Sequence, residues 1–230
     1  MRLKSPKDLF SSEDIQAVRN ALIDAEKQTS AEIVPVVAAT SGRYNRAEDV
    51  FALLLSLVAL GVLWPFIYKL EIFTGLFWSG PEGLVYDNFL ATLLVIMVMF
   101  PLGAFLATIF PIFRLFFVPE EELKENVDLK ASSCFHDFNI GHTSGGSGVL
   151  IYVSLYEHRV RILGDKSVSE TFSQEDFDDI CKRFTDKMKD DKPVEGLVNA
   201  IHRTGELLGH HLPRQKDDVN ELPDKLYLID

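Results

Sequence analysis

Two long apolar segments without a charged residue constrain this chain more than any other feature. They run from Val50 to Tyr68 and from Asn88 to Phe113. A helix rises about 1.5 Å per residue, so each segment is long enough to cross the hydrocarbon core of a bilayer. The alternative is a pair of buried helices, but 230 residues cannot build a soluble core large enough to enclose them. The sequence therefore predicts a membrane hairpin with spans at 50–68 and 88–113 and an outer loop at 69–87.

Basic residues around these segments predict the orientation of the hairpin. Arg43 and Arg46 precede the first span, and three basic residues follow the second: Arg114, Lys124 and Lys130. The connecting loop has no Lys or Arg apart from Lys69 at its edge. Because Lys and Arg are enriched on the cytoplasmic side of a membrane protein, we expect both termini to be cytoplasmic.

The composition excludes one class of partner and indicates a reducing compartment. With 23 Lys and Arg against 34 Asp and Glu, the net charge is -11, which argues against a nucleic-acid partner. The two cysteines, Cys134 and Cys181, both fall in segments with helical apolar periodicity. We expect buried free thiols, in preference to a disulfide or a metal pair.

The sequence before the hairpin predicts one helix and one strand of a soluble domain. Ser11 and Asp14 form a capping-box pattern ahead of an amphipathic helix. The following segment, 31–39, is apolar on both faces, as in a strand covered on two sides. Pro35 within it indicates an edge position or a bulge, because proline lacks a backbone N–H.

The sequence after the hairpin predicts the rest of that domain. A helix beginning near Glu120 is followed by two strands, 149–155 and 159–163, that form a β-hairpin, and then by two amphipathic helices. Neither half of the chain can close a core alone. We therefore expect one domain, formed by 1–45 and 119–213, with the hairpin region 46–118 inserted and 214–230 as an acidic C-terminal tail.

Four segments together resemble the TPM domain, also called TPM phosphatase or DUF477, in its membrane-embedded bacterial form. They are "AEKQTSAEIVPVV", "FHDFNIGHTSGGSGVLIYVSLYEHRVRILGD", "GLVNAIHRTGELLGHHLP" and "DVNELPD". The resemblance covers 10–45 and 120–230. It implies an α/β fold, a small α/β/α sandwich interrupted by a two-helix transmembrane hairpin, and a multi-pass protein of the bacterial inner (plasma) membrane. Some members of this family are described as acid phosphatases or as binding divalent cations, and many have no known activity.

Five residues are candidates for such chemistry. Arg159 and Arg161 stand two apart on a predicted strand, so both project from one face, where they can bind a phosphate. Glu32, Glu157 and Asp165 lie at the ends of predicted strands and are candidate ligands for calcium or magnesium, with Glu32 and Asp165 as candidate catalytic carboxylates. In the alternative interpretation, the arginines are charged guards of an edge strand and pair with these carboxylates.

Three other patterns carry weaker signals. The segment "TSGGSG" precedes a strand and lacks the Gly-Lys-Ser/Thr ending of a phosphate loop. His210 and His211 are followed by acidic residues at 217, 218 and 221, but adjacent histidines diverge on a helix and the acidic spacing fits no EF-hand. We interpret this region as a solvated helix end, and the remaining histidines show no ligand spacing.

These observations favour a binding or assembly module that serves membrane or envelope maintenance. Its partners would be the lipid bilayer and either a membrane protein or a second copy of the chain. The alternative is a membrane-tethered, divalent-cation-assisted acid phosphatase acting on a phosphomonoester. Transport is a third class, but the two spans contain no charged residue that would provide an ion path.

Overall fold

The computed structural model of the chain describes residues 5–74, 81–110, 115–143, 145–190, 192–215, 217 and 219–230. These fall into two compact units. One consists mainly of Arg43–Pro119, and the other joins the segment up to Gly42 to Glu120–Asp230. Three residues named above lie outside the described residues: Arg114, which follows the second span, residue 144 of the "TSGGSG" segment, and Asp218.

The second unit is built on a mixed sheet with the strand order β3-β2-β1-β4. Its strands are β1 (Glu32–Ala38), β2 (Gly148–Ser154), β3 (Arg159–Gly164) and β4 (Tyr227–Ile229). Strand β1 runs parallel to β2 and to β4, whereas β2 and β3 are antiparallel and form the predicted hairpin. The apolar hairpin thus interrupts the chain between two strands that are neighbours in one sheet.

Helices surround this sheet and form the inserted hairpin. In chain order they are α1 (Pro6–Leu9), α2 (Ser12–Glu26), α3 (Asn45–Thr74), α4 (Pro81–Ile109), α5 (Glu120–Asp137), α6 (Lys166–Thr171), α7 (Gln174–Lys189) and α8 (Pro193–His211), with a 3-10 turn at Ile140–His142. The predicted capping box at Ser11 and Asp14 is present at the start of α2. A second one, formed by Ser173 and Asp176, begins α7.

Side chains alternate along the strands and so build one apolar core on each face of the sheet. On one face, strand residues such as Ile33 and Ile151 pack with α2, α7 and α8. On the other face, Val36 and Leu150 pack with α5, which contributes Val127, Ala131 and Cys134. The expected α/β/α sandwich is therefore confirmed, with a single helix of more than one turn, α5, on the second face of the described sheet.

The C-terminal segment, which we predicted to be an acidic tail, contributes the fourth strand. Residues 36–38 of β1 pair in register with β4. Tyr227 stacks against Phe138 with ring centroids 4.2 Å apart, and Lys7 Nζ lies 2.7 Å from Asp230 Oδ2. A strand of three residues is too short to show a period of two, which explains why the sequence did not reveal it.

Pro35 occupies an edge-like position although β1 lies inside the sheet. Successive residues of a strand direct their N–H groups toward opposite neighbours. The Glu32 N–H donates to Ser147 O on the β2 side, and the Ala39 N–H donates to Ile229 O of β4. Pro35 therefore has its nitrogen on the β4 side, one residue before the β1–β4 pairing begins at Val36. Its missing N–H removes no ladder hydrogen bond.

The first unit contains α3 and α4 packed against each other. Within them, Asn45–Phe66 and Thr92–Ile109 are long and apolar enough to cross a membrane. The two helices extend into the segment 69–87, so most of the predicted loop is helical. The second helix ends at Ile109, and 111–113 of the predicted span lie outside the described residues. The part of the segment 69–87 at 75–80 also lies outside them.

Small residues line the contact between α3 and α4. Ala52, Ser56 and Ala107 are buried, and a Cβ added at Gly103 would lie 2.8 Å from the Ala52 Cα. The Ser56 hydroxyl donates to the Ala52 carbonyl at 2.7 Å, so this polar group is satisfied within its own helix. The remaining helix surface exposes large apolar side chains, including Leu57, Val58, Phe66, Leu94, Met97 and Phe105.

Candidate functional site

A groove of about 390 Å³ lies along the outer edge of β3 in the sheet domain. Helix α5 forms one wall and α7 the other, because these helices pack on opposite faces of the sheet. We call it the β3 groove, and it is lined by Lys124, Val127, Asp128, Glu157, His158, Arg159, Val160, Arg161, Cys181 and Thr185. It contains both arginines that were predicted to bind phosphate.

Arg159 and Arg161 share one face of β3, as their spacing predicts, and that face is the one covered by α5. Arg161 Nε lies 3.1 Å from Asp128 Oδ1, and Arg159 Nη2 lies 4.0 Å from Glu120 Oε1. The Arg161 side chain is 42% exposed and the Arg159 side chain 33%, so each ion pair contributes at most about 1 kcal/mol to stability. The carboxylates that pair with these arginines thus belong to α5, in contrast to the strand-end carboxylates of the alternative interpretation.

The backbone of β3 has one side facing β2 and one side facing the groove. The Asp165 N–H donates toward β2, to Gly148 O. Because successive residues of a strand direct their N–H and C=O groups to opposite sides, those of Val160 and Ile162 point away from β2, into the groove. Two side-chain contacts agree with this direction: Cys181 Sγ lies 3.7 Å from Val160 O, and Ser169 Oγ donates to Gly164 O at 2.8 Å. Ile162 is only 5% exposed, so the accessible outward edge is centred on Val160.

Glu157 is buried in a polar network where β1 and β2 end. Its carboxylate accepts hydrogen bonds from the Ser41 N–H at 2.9 Å, from the Thr40 hydroxyl at 3.1 Å and from the Ser154 hydroxyl. Ser41 Oγ also lies 2.9 Å from the Tyr152 hydroxyl, and burial raises the pKa of Tyr152 to about 12. This network joins the two chain segments that the inserted hairpin separates.

Glu32 lies at the opposite end of the sheet and binds the C-terminal segment. It is buried, and its two carboxylate oxygens accept from the N–H groups of Glu221 and Leu222 at 3.1 and 3.3 Å. The carboxyl group of Glu26 lies close to it, and Asp224 in turn lies close to Glu26. Burial, together with the charges of Asp224 and Glu32, raises the pKa of Glu26 to about 8.

Asp165 caps the short helix α6. Its side chain accepts from the Lys166 N–H at 2.7 Å. The glycine segment packs beside it: Ser167 Oγ donates to Gly145 O at 2.8 Å, and Gly146 adopts a positive φ of 59° that favours glycine. The described part of the "TSGGSG" segment therefore forms a turn around a helix start.

The three predicted metal ligands do not share one site. Glu32 of β1 pairs with Gly148 of β2, and the Asp165 N–H donates to Gly148 O, so Glu32 and Asp165 lie at the same end of the sheet. Glu157 follows the far end of β2, about 20 Å away for a seven-residue strand. Among the described residues, no group of three or more His, Cys, Asp or Glu side chains is arranged to hold a metal ion.

Sequence reasoning missed Asp128, Glu26 and Asp224. Asp128 follows the buried Val127 on α5. Its spacing of eight residues from Glu120 on the same helix is the one sequence pattern that relates the two carboxylates which contact the arginines. The approach of Glu26 to Asp224 joins residues at opposite ends of the chain. No local pattern reports such a contact, because it depends on the path of the C-terminal segment.

Both cysteines are free and lie on different faces of the sheet. Cys134 is buried, as predicted, whereas Cys181 is only half-buried. Burial raises the pKa of the Cys134 thiol, and it raises the pKa of Cys181 to about 11. Although Cys181 lines the β3 groove, it is therefore a weak nucleophile at neutral pH.

Comparisons with known proteins support the fold. Residues 113–207 match the family model described as TPM domain. The structure is similar to the NMR structure of the BA42 protein from the psychrophilic bacterium Bizionia argentinensis, with a TM-score of 0.55 and 19% sequence identity over 95% of this chain and 94% of that one. Comparison with curated protein sequences found no match.

Proposed function

Because residues 113–207 match the TPM domain model, we propose that the chain is a membrane-anchored binding or assembly module that works in membrane or envelope maintenance. The sheet domain provides the binding surface, and the helices α3 and α4 anchor it in the bilayer. In this proposal the β3 groove is the binding site.

The observation that supports this proposal is that each of the three candidate carboxylates accepts hydrogen bonds from groups of the chain itself. Glu32 accepts two backbone N–H groups, Glu157 accepts from Ser41, Thr40 and Ser154, and Asp165 caps α6. A carboxylate that catalyses hydrolysis or binds a metal needs oxygen lone pairs directed into an accessible site. The observed bonds direct these groups toward the chain's own backbone and hydroxyls, which favours binding over hydrolysis.

Membrane anchoring is supported by the surface of α3 and α4. In the parts whose side chains the structure describes, Asn45–Phe66 and Thr92–Ile109, many outward side chains are large and apolar, and such a surface is unfavourable in water and favourable in lipid. The Lys and Arg distribution supports cytoplasmic termini in a bacterial inner membrane. A reporter fused after Asp230 tests this orientation: we expect cytoplasmic activity, and activity restricted to the outside would overturn it.

A membrane-tethered acid phosphatase remains the second candidate, because Arg159, Arg161 and Lys124 converge on one groove. Three cations can hold a phosphoryl group, although hydrolysis also needs a nucleophile, a base or a metal-bound water. Of the three candidate carboxylates, Glu157 lines this groove, and calcium or magnesium would supply that water if Glu157 bound the ion; Glu32 and Asp165 lie at the other end of the sheet.

The experiment that separates the two functions is a calcium and magnesium titration of the detergent-solubilised protein. Thermal unfolding and hydrolysis of a phosphomonoester are followed in parallel. The binding function predicts no turnover and no saturable metal stabilisation, whereas a specific metal site would stabilise the fold by a few kcal/mol at saturation.

Asp165→Asn is the matched variant for this titration, since Asn also caps helices well and the fold should be retained. Hydrolysis that requires metal, and that is lost in folded Asp165→Asn, would overturn the binding proposal in favour of the phosphatase.

A further inference from the structure

We propose that the β3 groove binds a short extended segment of a partner protein, which pairs with the backbone of Val160 and carries acidic residues two positions apart. This inference rests on the binding function proposed above and specifies the chemistry of the partner. It follows from three properties of the groove: an accessible strand edge, two arginines on one face, and an apolar opposite face.

The strand edge provides the backbone part of the interaction. The N–H and C=O of Val160 are directed away from β2, and Val160 is partly exposed. Its carbonyl accepts from the weakly donating Cys181 thiol at 3.7 Å. An extended peptide can therefore exchange backbone hydrogen bonds at this position, as in strand addition to a sheet edge. The burial of Ile162 limits the pairing to a short segment.

The arginines select the side chains of that segment. Residues directly opposite each other on paired strands share one face, with Cβ atoms about 4.5–5.5 Å apart. Peptide residues opposite Arg159 and Arg161 would therefore both face α5. Asp128 contacts Arg161 at Nε, and a guanidinium carries further N–H donors on its terminal nitrogens. These donors can bind an additional carboxylate at each arginine.

The intervening peptide residue faces the other wall. Val160 packs against the core under α7, and Cys181 and Thr185 line the groove on this side. A small or β-branched apolar residue fits this environment. The preferred segment is therefore acidic, apolar, acidic in alternation, which complements the cations Lys124, Arg159 and Arg161 that line the groove beside the carboxylates of Asp128 and Glu157.

The charges also exclude the β3 edge of a second copy of this chain as the occupant. If two β3 strands paired edge to edge, Arg159 and Arg161 of each would lie opposite the same arginines of the other. Like charges directly opposite each other destabilise a strand pair, and charged side chains on an edge strand commonly prevent such self-association. The same residues attract a segment of opposite charge.

Fluorescence anisotropy on the full-length protein in detergent tests this proposal. The probe is a fluorescein-labelled peptide, Gly-Thr-Glu-Val-Glu-Thr-Gly, and the matched control peptide replaces both Glu residues by Lys. We expect saturable binding of the acidic peptide and at least about tenfold weaker binding of the basic one, since hydrogen bonds to charged groups are involved. Binding should also weaken as salt is raised.

Two variants separate the side-chain and backbone parts. Arg159→Gln with Arg161→Gln removes the charges, and Val160→Pro removes one outward N–H without breaking the β2–β3 ladder, as proline is tolerated on edge strands. Each should weaken binding by about tenfold while thermal unfolding shows that the fold is retained. Lys166→Gln, on α6 and outside the groove lining, is the control and should bind as the wild type does.

Absence of peptide binding, or equal binding of the acidic and basic peptides, would overturn the proposal. The proposal would also be overturned if both folded variants, Val160→Pro and the Arg159→Gln, Arg161→Gln double variant, bound the peptide as the wild type does. Displacement of the peptide by millimolar inorganic phosphate from the wild type would show that the arginines hold the carboxylates. If phosphate binds and the acidic peptide does not, the groove is an anion site and this inference fails. The binding function itself fails only if the metal titration reveals hydrolysis.

Discussion

Ser41 and Glu157 connect the two halves of the sheet domain across the inserted hairpin. The Ser41 N–H donates to Glu157 Oε1 at 2.9 Å although 116 positions separate the two residues. Just after the insertion, Glu120 lies 4.0 Å from Arg159, two residues beyond Glu157. The segments at which the chain leaves and re-enters the sheet domain therefore both contact the β2–β3 turn. This proximity allows a long insertion between neighbouring strands.

Replacing Glu157 by Gln should destabilise the sheet domain. The amide has nearly the same volume, but its NH₂ group would face donors that now bind a carboxylate oxygen. Hydrogen bonds to a charged group contribute about 1.5–3 kcal/mol each, so we expect a loss of at least about 2 kcal/mol in the free energy of unfolding. Chemical denaturation of the detergent-solubilised protein measures it. Glu121→Gln, at an exposed position of α5, is the control, and equal stability of the two variants would contradict the prediction.

The stability of the protein should decrease as the pH rises from about 4.5 to 8. The native state raises the pKa of Glu26 from its ordinary value of 4.5 to about 8. Between these values the folded chain binds more protons than the unfolded chain, so stability is greatest at low pH and is lost through the folded pKa. The Glu26 contribution is present below about pH 4.5 and absent above about pH 8.

Glu26→Gln should remove this dependence, because Gln resembles the protonated acid. At pH 9 we expect the variant to be more stable than the wild type by about 1–3 kcal/mol, allowing for partial solvent screening of the raised pKa. Near pH 4.5 the two proteins should unfold at similar temperatures. Exposed Glu13→Gln serves as the control. If the pH profiles of wild type and Glu26→Gln run parallel, Glu26 does not hold the proton.

Gly103→Leu should separate α3 from α4. Even a Cβ at this position would lie 2.8 Å from the Ala52 backbone, so a larger side chain must push the helices apart. Overpacking of this kind costs about 1–3 kcal/mol. Gly61 is the matched control because nothing lies within 4 Å of an added Cβ there. Thermal aggregation in detergent should begin at a lower temperature for Gly103→Leu than for Gly61→Leu, and the reverse order would contradict the contact.

The two thiols should react slowly with iodoacetamide in the folded protein. The pKa of Cys181 is raised from 9.0 to about 11 by burial, which lowers its thiolate fraction at pH 8 by about a hundredfold. The pKa of Cys134 is also raised, and this residue is buried in the core beneath α5. Mass spectrometry should detect rapid labelling of both residues only after denaturation. Fast labelling of native Cys181 would show that the α7 wall opens.

Local patterns were sufficient for most elements of secondary structure. The Ser11 capping box, the apolar stripe of α5 and the alternation in 149–155 each report on neighbours a few positions away, and all three elements are present. Strand β4 and the ion pair between Arg161 and Asp128 depend on distant segments, so no local period indicated them.

The sequence by itself determined the α/β character of the domain, its interruption by an apolar hairpin and the shared face of Arg159 and Arg161. These properties follow from residue spacing, since helix and strand periods fix which side chains lie together. Only the tertiary structure decided the surroundings of the charged residues. It directed Glu157 into a buried network and placed Glu32 under the C-terminal segment, while Arg159 and Arg161 remained accessible beside α5. The physical reason is that the environment of a charge depends on long-range chain contacts, which the spacing of neighbouring residues does not specify.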